Sequence, residues 1–209
     1  MPLWHQVKFK EEIMAEKIPG LREQQKAATR KQLILTGVEL FLRQGFVNTT
    51  IEQIVEPLGM AKRTFFRYFD TKEELLFAWQ MDKTTQLIDE LTSRPKNESP
   101  MQVIRATLSS LLKNYDASPA QALAFMRLTR ETPALVGRDY ERRMVWEQAL
   151  AAALIERNGS EALDPLKARI IVGTVMSAWT AALGEWYDGE GKEDLRSIVN
   201  RAFSMISKK

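Results

Sequence analysis

The sequence contains no cysteine and a single histidine, His5. Without cysteine there is no disulfide framework, no thiolate metal site and no thiol nucleophile. One histidine near a chain end leaves too few parts for a His-built metal site or a Ser-His relay, so neither a metal nor a cofactor is expected. Long apolar runs are scarce as well. The nearest to the ~20 residues that cross a bilayer is Ile170 to Gly184, interrupted by Thr174, Ser177 and Thr180 and flanked by Arg169 and Glu185. That pattern reads as a buried helix. Glu11 and Glu12 stand where a secretory leader has its apolar stretch, so the chain is expected to be cytoplasmic, with no membrane partner. Charge of one sign is also weak in the total: 30 Lys and Arg against 27 Asp and Glu leave +3. A polyanionic partner has to be argued from where the charges lie.

What is present is a chain of 209 residues, 44% of them hydrophobic, enough for one or two buried cores. No segment alternates as a strand does, whereas apolar residues recur at steps of three and four. The fold class expected is all-α: an N-terminal three-helix helix-turn-helix head and a larger C-terminal helical body. Residues 1–21 show no sustained period and read as a flexible arm, 22–72 as the head, and 73–209 as the body. Leu33, Ile34, Gly37, Val38 and Phe41 form one face of a helix from about Glu23 to Gln44, which Gly45 stops. Thr49 with Glu52, and later Thr71 with Glu74, have the spacing of reciprocal helix caps. Short helices are expected from Thr49 to Gly59 and over Ala61–Phe69. Longer ones follow: from Lys72 to Thr92, from Ser99-Pro100 to Tyr115, from Ser118-Pro119 to Glu131, from Arg138 to Arg157, from Pro165 to Tyr187 and from Lys192 to Ser207. Ser or Asp before Pro is a strong helix opening, because proline lacks only an N–H that the first turn leaves unpaired anyway.

The stretch GMAKRTFFRYFDTKEEL, Gly59 to Leu75, carries the chemistry. At ~100° per residue Phe65 and Phe69 share one side of a helix, and Arg63 and Arg67 the other. The aromatics therefore anchor while the guanidiniums point outward, with Lys62, Phe66, Thr64 and Tyr68 on the flanks. Asp70 is the only acid between Met60 and Lys72. Guanidinium and ammonium groups meet phosphates, and arginine also takes a guanine edge through two parallel hydrogen bonds. A basic face alone is equally often a plain solvated surface. Here it belongs to the second helix of a tight pair, the element that helix-turn-helix proteins lay in the major groove.

Residues 32–75, with LILTGVELFLRQGF followed by TTIEQIVEPLGMAKRTFFRYFDTKEEL, resemble the DNA-binding head of the tetracycline-repressor (TetR) family of bacterial transcription regulators. Phe41, Gly45, Thr50, Ile54, Gly59, Thr64, Tyr68, Phe69, Lys72 and Leu75 carry the match. The resemblance implies that Thr50, Lys62, Thr64, Tyr68 and Lys72 hold phosphates and that Lys62, Arg63 and Phe66 lie nearest the bases. The chain departs from the family pattern at Ala61, where a capping Ser is common, at Phe66 for Tyr, at Arg63 for Gly or Ala, and at Pro57 late in the second helix.

Beyond Leu75 the resemblance is one of layout, and it implies a ligand pocket and a dimer interface. Phe125, Met126, Met144, Trp146, Met176 and Trp179 are the candidates for lining an effector pocket, although such residues at helical spacing also build ordinary cores. Val175 and Ala182, with the stripe Leu195, Ile198, Val199, Ala202, Phe203 and Ile206, are the candidates for the dimer interface. The function implied is a homodimeric repressor on a palindromic double-stranded DNA operator, released by a small apolar or amphipathic effector, with Lys8, Lys10 and Lys17 of the arm available to flanking DNA. Two readings stay open at this level: a helical enzyme or carrier with an incidental basic face, and an architectural DNA binder without a ligand.

Overall fold

The computed structural model describes residues 20–159 and 163–206, with the side chains of 79–83 excepted. The expectations for Lys8, Lys10, Lys17 and His5 lie outside the described residues. Leu21, assigned to the arm, already belongs to a helix. Ten α-helices run in sequence among the described residues: α1 (Leu21–Gln44), α2 (Ile51–Val55), α3 (Lys62–Phe66), α4 (Lys72–Ser93), α5 (Pro100–Ser109), α6 (Leu112–Ala117), α7 (Pro119–Glu131), α8 (Pro133–Asn158), α9 (Pro165–Asp188) and α10 (Leu195–Met205). No strand occurs among them.

Two apolar clusters organise the helices. The first gathers Leu33, Val38 and Phe41 of α1, Phe46, Ile54 of α2, Phe65 of α3 and Leu75 of α4. Gly37 lets α1 and α4 meet, since a Cβ there would lie 2.7 Å from a methyl carbon of Leu75. The second and larger cluster joins α4 to α10 around Leu91, Ile104, Leu154, Val175, Trp179 and Phe203. The clusters touch through the body, because Leu128 of α7 and Leu135 of α8 pack into the head's cluster.

Several boundaries shift, each for a visible reason. The cap of α2 is Thr50, not Thr49: the Thr50 hydroxyl accepts from the Gln53 N–H at 3.2 Å while the Gln53 carboxamide oxygen accepts from the Thr50 N–H at 2.9 Å. Thr49 is buried, and its hydroxyl donates instead to the Gly45 carbonyl at 2.8 Å. Thr71 caps α4 as expected, but the Glu74 carboxylate reaches one residue further back, to the Asp70 N–H. The helix expected from Ser99 to Tyr115 breaks at Ser110 and Leu111, where the Ser110 hydroxyl donates to the Thr107 carbonyl at 2.7 Å. Ser118 precedes α7 without a side-chain cap. The Arg138–Arg157 helix begins five residues earlier, because Thr132-Pro133 is a fourth α-helix opening with proline in the first turn. Asp194, whose carboxylate accepts from the Ser197 N–H at 2.9 Å, starts the last helix at Leu195 instead of Lys192.

The expected dimer stripe is corrected more deeply. Val175, Ala182, Leu195, Ile198, Val199 and Phe203 are buried within the single chain, and Ala202 and Ile206 are half-buried. The amphipathic face of α10 packs on α9 within the chain, so of these side chains only the half-buried Ala202 and Ile206 keep surface to offer outside it. By length and mean hydropathy α9 would suffice to cross a membrane. It packs instead against α5, α8 and α10, and its outward flank carries Leu166, Ile170, Ser177 and Ala181. Leu166 is 63% exposed and Ile170 58%, and Met205 of α10 is 67% exposed.

Candidate nucleic-acid interface and effector cavity

The turn between α2 and α3 follows from three residues. Pro57 sits in a 3-10 turn, Glu56–Leu58, that ends α2 at Val55. Gly59 then takes φ +63°, the left-handed conformation that costs glycine least. Ala61 begins α3 with no side-chain cap. The chain thus reverses tightly enough to set α3 beside α2.

The helix expected over Ala61–Phe69 stops at Phe66, with Arg67 and Tyr68 in a turn and Phe69 beyond it, but the segment still divides into a buried and an exposed side. Phe65 and Phe69 are buried, with ring centroids 5.6 Å apart, while Arg63, Phe66 and Arg67 are exposed. The Arg67 guanidinium lies 5.2 Å from the centre of the Tyr68 ring, which fixes its direction without consuming its charge. Thr64 and Tyr68 are half-buried on the flanks, and Thr50 is exposed at the start of α2.

Two lysines have partners that sequence reading did not foresee. The Lys62 ammonium lies 2.6 Å from the Glu52 carboxylate, both more than half exposed. That hydrogen bond holds the Glu52 carboxyl below its ordinary range. An incoming phosphate therefore competes with Glu52 for Lys62. Lys62→Ala is expected to weaken DNA binding uniformly across sequences and to lower the logarithmic salt slope by about one. Glu52→Gln should tighten binding at low salt, and titration at several salt concentrations reads both.

Lys72 is held more firmly. Its ammonium donates to the carbonyls of Phe46 (2.6 Å) and Thr49 (3.0 Å) and sits 4.3 Å from the centre of the Phe46 ring. The first residue of α4 thereby clamps the turn that precedes Thr50. Gln44 stitches the same turn through Nε2, which donates to Gln53 Oε1 at 2.9 Å.

A cavity of about 780 Å³ opens in the body, within the roughly 300–1,000 Å³ of small-molecule sites. Five of the six expected residues line it: Phe125, Met126, Trp146, Met176 and Trp179. Met144 does not. It stands two residues from Trp146 on α8, ~200° around the helix, and is 51% exposed. The Trp146 indole N–H donates to the Thr84 hydroxyl at 2.9 Å, fixing that wall to α4.

Sequence reading missed the polar part of the wall. Tyr115, Asp139, Arg142 and Arg143 all line the cavity, as do Lys31, Ile34, Leu35 and Leu42 of the head's own helix α1. The signal was available in the spacing of Asp139, Arg142, Arg143 and Trp146, which puts all four on one face of α8.

Comparison with known proteins places these features in a family. Residues 33–79 match the bacterial regulatory proteins of the tetR family, and residues 98–209 match the MftR C-terminal domain. The chain is 33% identical over 175 residues to the HTH-type transcriptional regulator TcmR of Streptomyces glaucescens, covering 81% of this chain and 77% of that one. It is 23% identical over 172 residues to the putative mycofactocin biosynthesis transcriptional regulator MftR of Mycobacterium tuberculosis, covering 81% and 84%. In fold it is similar to the transcriptional regulator FadR from Bacillus subtilis, solved in complex with stearoyl-CoA, with a TM-score of 0.59, 20% identity and coverage of 84% and 96%. An all-α chain with a helix-turn-helix head, an outward arginine face and these relatives belongs to the TetR family of bacterial DNA-binding transcriptional regulators.

Proposed function

We propose that the protein is a ligand-responsive repressor that binds a palindromic operator as a homodimer in the cytoplasm. The observation that carries this reading is the division of residues 62–69, with Phe65 and Phe69 locked into the head and Arg63, Phe66 and Arg67 left outside. Arg63 and Phe66 face the bases, the ring against a thymine methyl, while Thr50, Lys62, Thr64, Arg67 and Tyr68 track phosphates. Lys72 contributes its remaining N–H to the backbone while its other contacts hold the turn. Functionally, residues 22–72 form the reading head and 73–209 the sensing and pairing body.

Pairing uses the outward flank of α9 with the end of α10: Leu166, Ile170, Ser177, Ala181 and Met205. A twofold axis through this flank has to hold the two heads about 34 to 36 Å apart, the spacing of successive major-groove faces. Ile170→Asp with Ala181→Asp should yield a folded monomer by sedimentation, since like charges and lost apolar area then face each other across the axis. A persistent dimer would rule this flank out.

The cavity supports an apolar or amphipathic effector, and the FadR neighbour described with stearoyl-CoA supports a ligand site in this fold. A coupling of about 1–3 kcal/mol between the sites weakens operator binding roughly five- to 150-fold. Selection of bound genomic fragments by the full chain, with and without candidate effectors, tests the proposal. Enrichment of a palindrome lost on adding effector is the expected result. Retention of fragments without any shared sequence, at every salt concentration, would overturn it.

A further inference from the structure

The cavity's charge narrows the class of molecule that it takes. Among the described residues, Lys31, Arg130, Arg142 and Arg143 line it against a single carboxylate, Asp139. Glu147 and Asp188, which pair with Arg143 at 3.2 Å and with Arg130 at 4.0 Å, are not part of the lining. The Arg130 pair is long and exposed and neutralises little, while Glu147 takes one N–H of Arg143, at its Nε, and leaves that guanidinium further donors. Arg142 spends one N–H on Asp139, at 2.5 Å, and its Nε is buried with no acceptor among the described residues. A guanidinium carries five donors, so Arg142 keeps capacity for an incoming oxygen. Its central carbon also lies 4.7 Å from the centre of the Trp146 ring, so a cation and an aromatic face adjoin in the wall. Tyr115 adds a neutral donor there, because desolvation pushes its hydroxyl up to about 12.

The rest of the wall mixes apolar side chains, Phe125, Met126, Met176 and Trp179, with neutral polar ones such as Gln86, Gln121 and Thr180. A cavity that offers both aromatic and cationic groups matches a molecule with an apolar part and an anionic part. α1 contributes Lys31, Ile34 and Leu35 from one face, so the head itself forms part of the wall.

We infer that the effector is an amphipathic anion, a carboxylate or phosphate on an apolar body, held by Arg142 and Arg143 of the body together with Lys31 of the head. This rests on the effector reading of the cavity and adds its charge class and its direct contact with α1. Bound there, the molecule spans head and body. Its charge draws Lys31 towards α8, and that differential contact is what an effector needs to favour one head position over another.

Titration calorimetry of the full chain tests this with decanoate, decyl phosphate, decanol and decylammonium below their micelle concentrations. At least one anion should bind about tenfold or more tighter than decanol, with decylammonium weakest. The order of decanoate and decyl phosphate then tells a carboxylate ligand from a phosphate one. Arg143→Gln and Lys31→Gln should each cut the ratio of anion to decanol affinity by about threefold or more, and Arg143→Lys should restore most of it. A ratio near one for both anions, or decylammonium binding best, overturns the charge assignment and leaves the cavity reading standing. A ratio unchanged by Lys31→Gln overturns the bridge to the head. Failure of all four probes removes the charge assignment and the effector reading together.

Discussion

Phe65→Ala is expected to destabilise the head by about 3–5 kcal/mol, the cost of emptying a full aromatic site in a packed core. Phe65 is fully buried and lies between Phe69 and the apolar residues of α1 and α2. The neighbours are poorly placed to close the gap. Phe41 is engaged with Phe46 at 5.0 Å between centroids, and Leu75 is held against Gly37. A three-helix head has few large side chains to share the loss, so the change should appear as a separate, early transition in urea followed by circular dichroism. Operator binding should vanish with it, because Arg63 and Arg67 keep their direction only while α3 stays docked. Phe65→Leu retains most of the buried volume and should recover much of the loss. A Phe65→Ala protein as stable as the parent would remove the physical basis of the exposed arginine face.

Arg63→Ala with Arg67→Ala should do the opposite: leave stability within about 0.5 kcal/mol and cut operator affinity by roughly 30-fold or more. Both side chains are exposed, and neither has a carboxylate partner in an ion pair among the described residues. Their charge is therefore available to DNA without first breaking an intramolecular bond, unlike that of Lys62. Arg63→Lys separates the two kinds of contact. It keeps the charge and hence the salt slope, but loses the planar fork that pairs with a guanine edge, so discrimination between operator and random DNA should fall. Equal affinity of the doubly substituted and parent proteins would dissociate this face from DNA recognition altogether.

The features that sequence carried best are those set by local chemistry. Proline after Ser or Asp placed the starts of α5, α7 and α9, and the four-residue interval between Phe65 and Phe69 placed the anchor of α3. What escaped depended on partners distant in sequence. TTIEQ contains two overlapping capping signals, Thr49 with Glu52 and Thr50 with Gln53. The choice fell to Thr50 because burial turned the Thr49 hydroxyl back on Gly45. The stripe on α10 was correctly apolar, but periodicity says that a face is buried and not what buries it. Met144 resembled its neighbours in composition while standing on the other side of α8. Lys72 looked like a free cation until the fold brought the carbonyls of Phe46 and Thr49 to it.

That last contact has a mechanical meaning. α4 is 22 residues long, a rod of about 33 Å at 1.5 Å per residue, and its first ammonium grips the same corner of the polypeptide that presents Thr50. A tilt of the rod cannot slip past the corner. It steers the reading surface as a tiller steers a rudder, so that in the proposed repressor a molecule filling the cavity would turn the head while leaving the head's own shape intact.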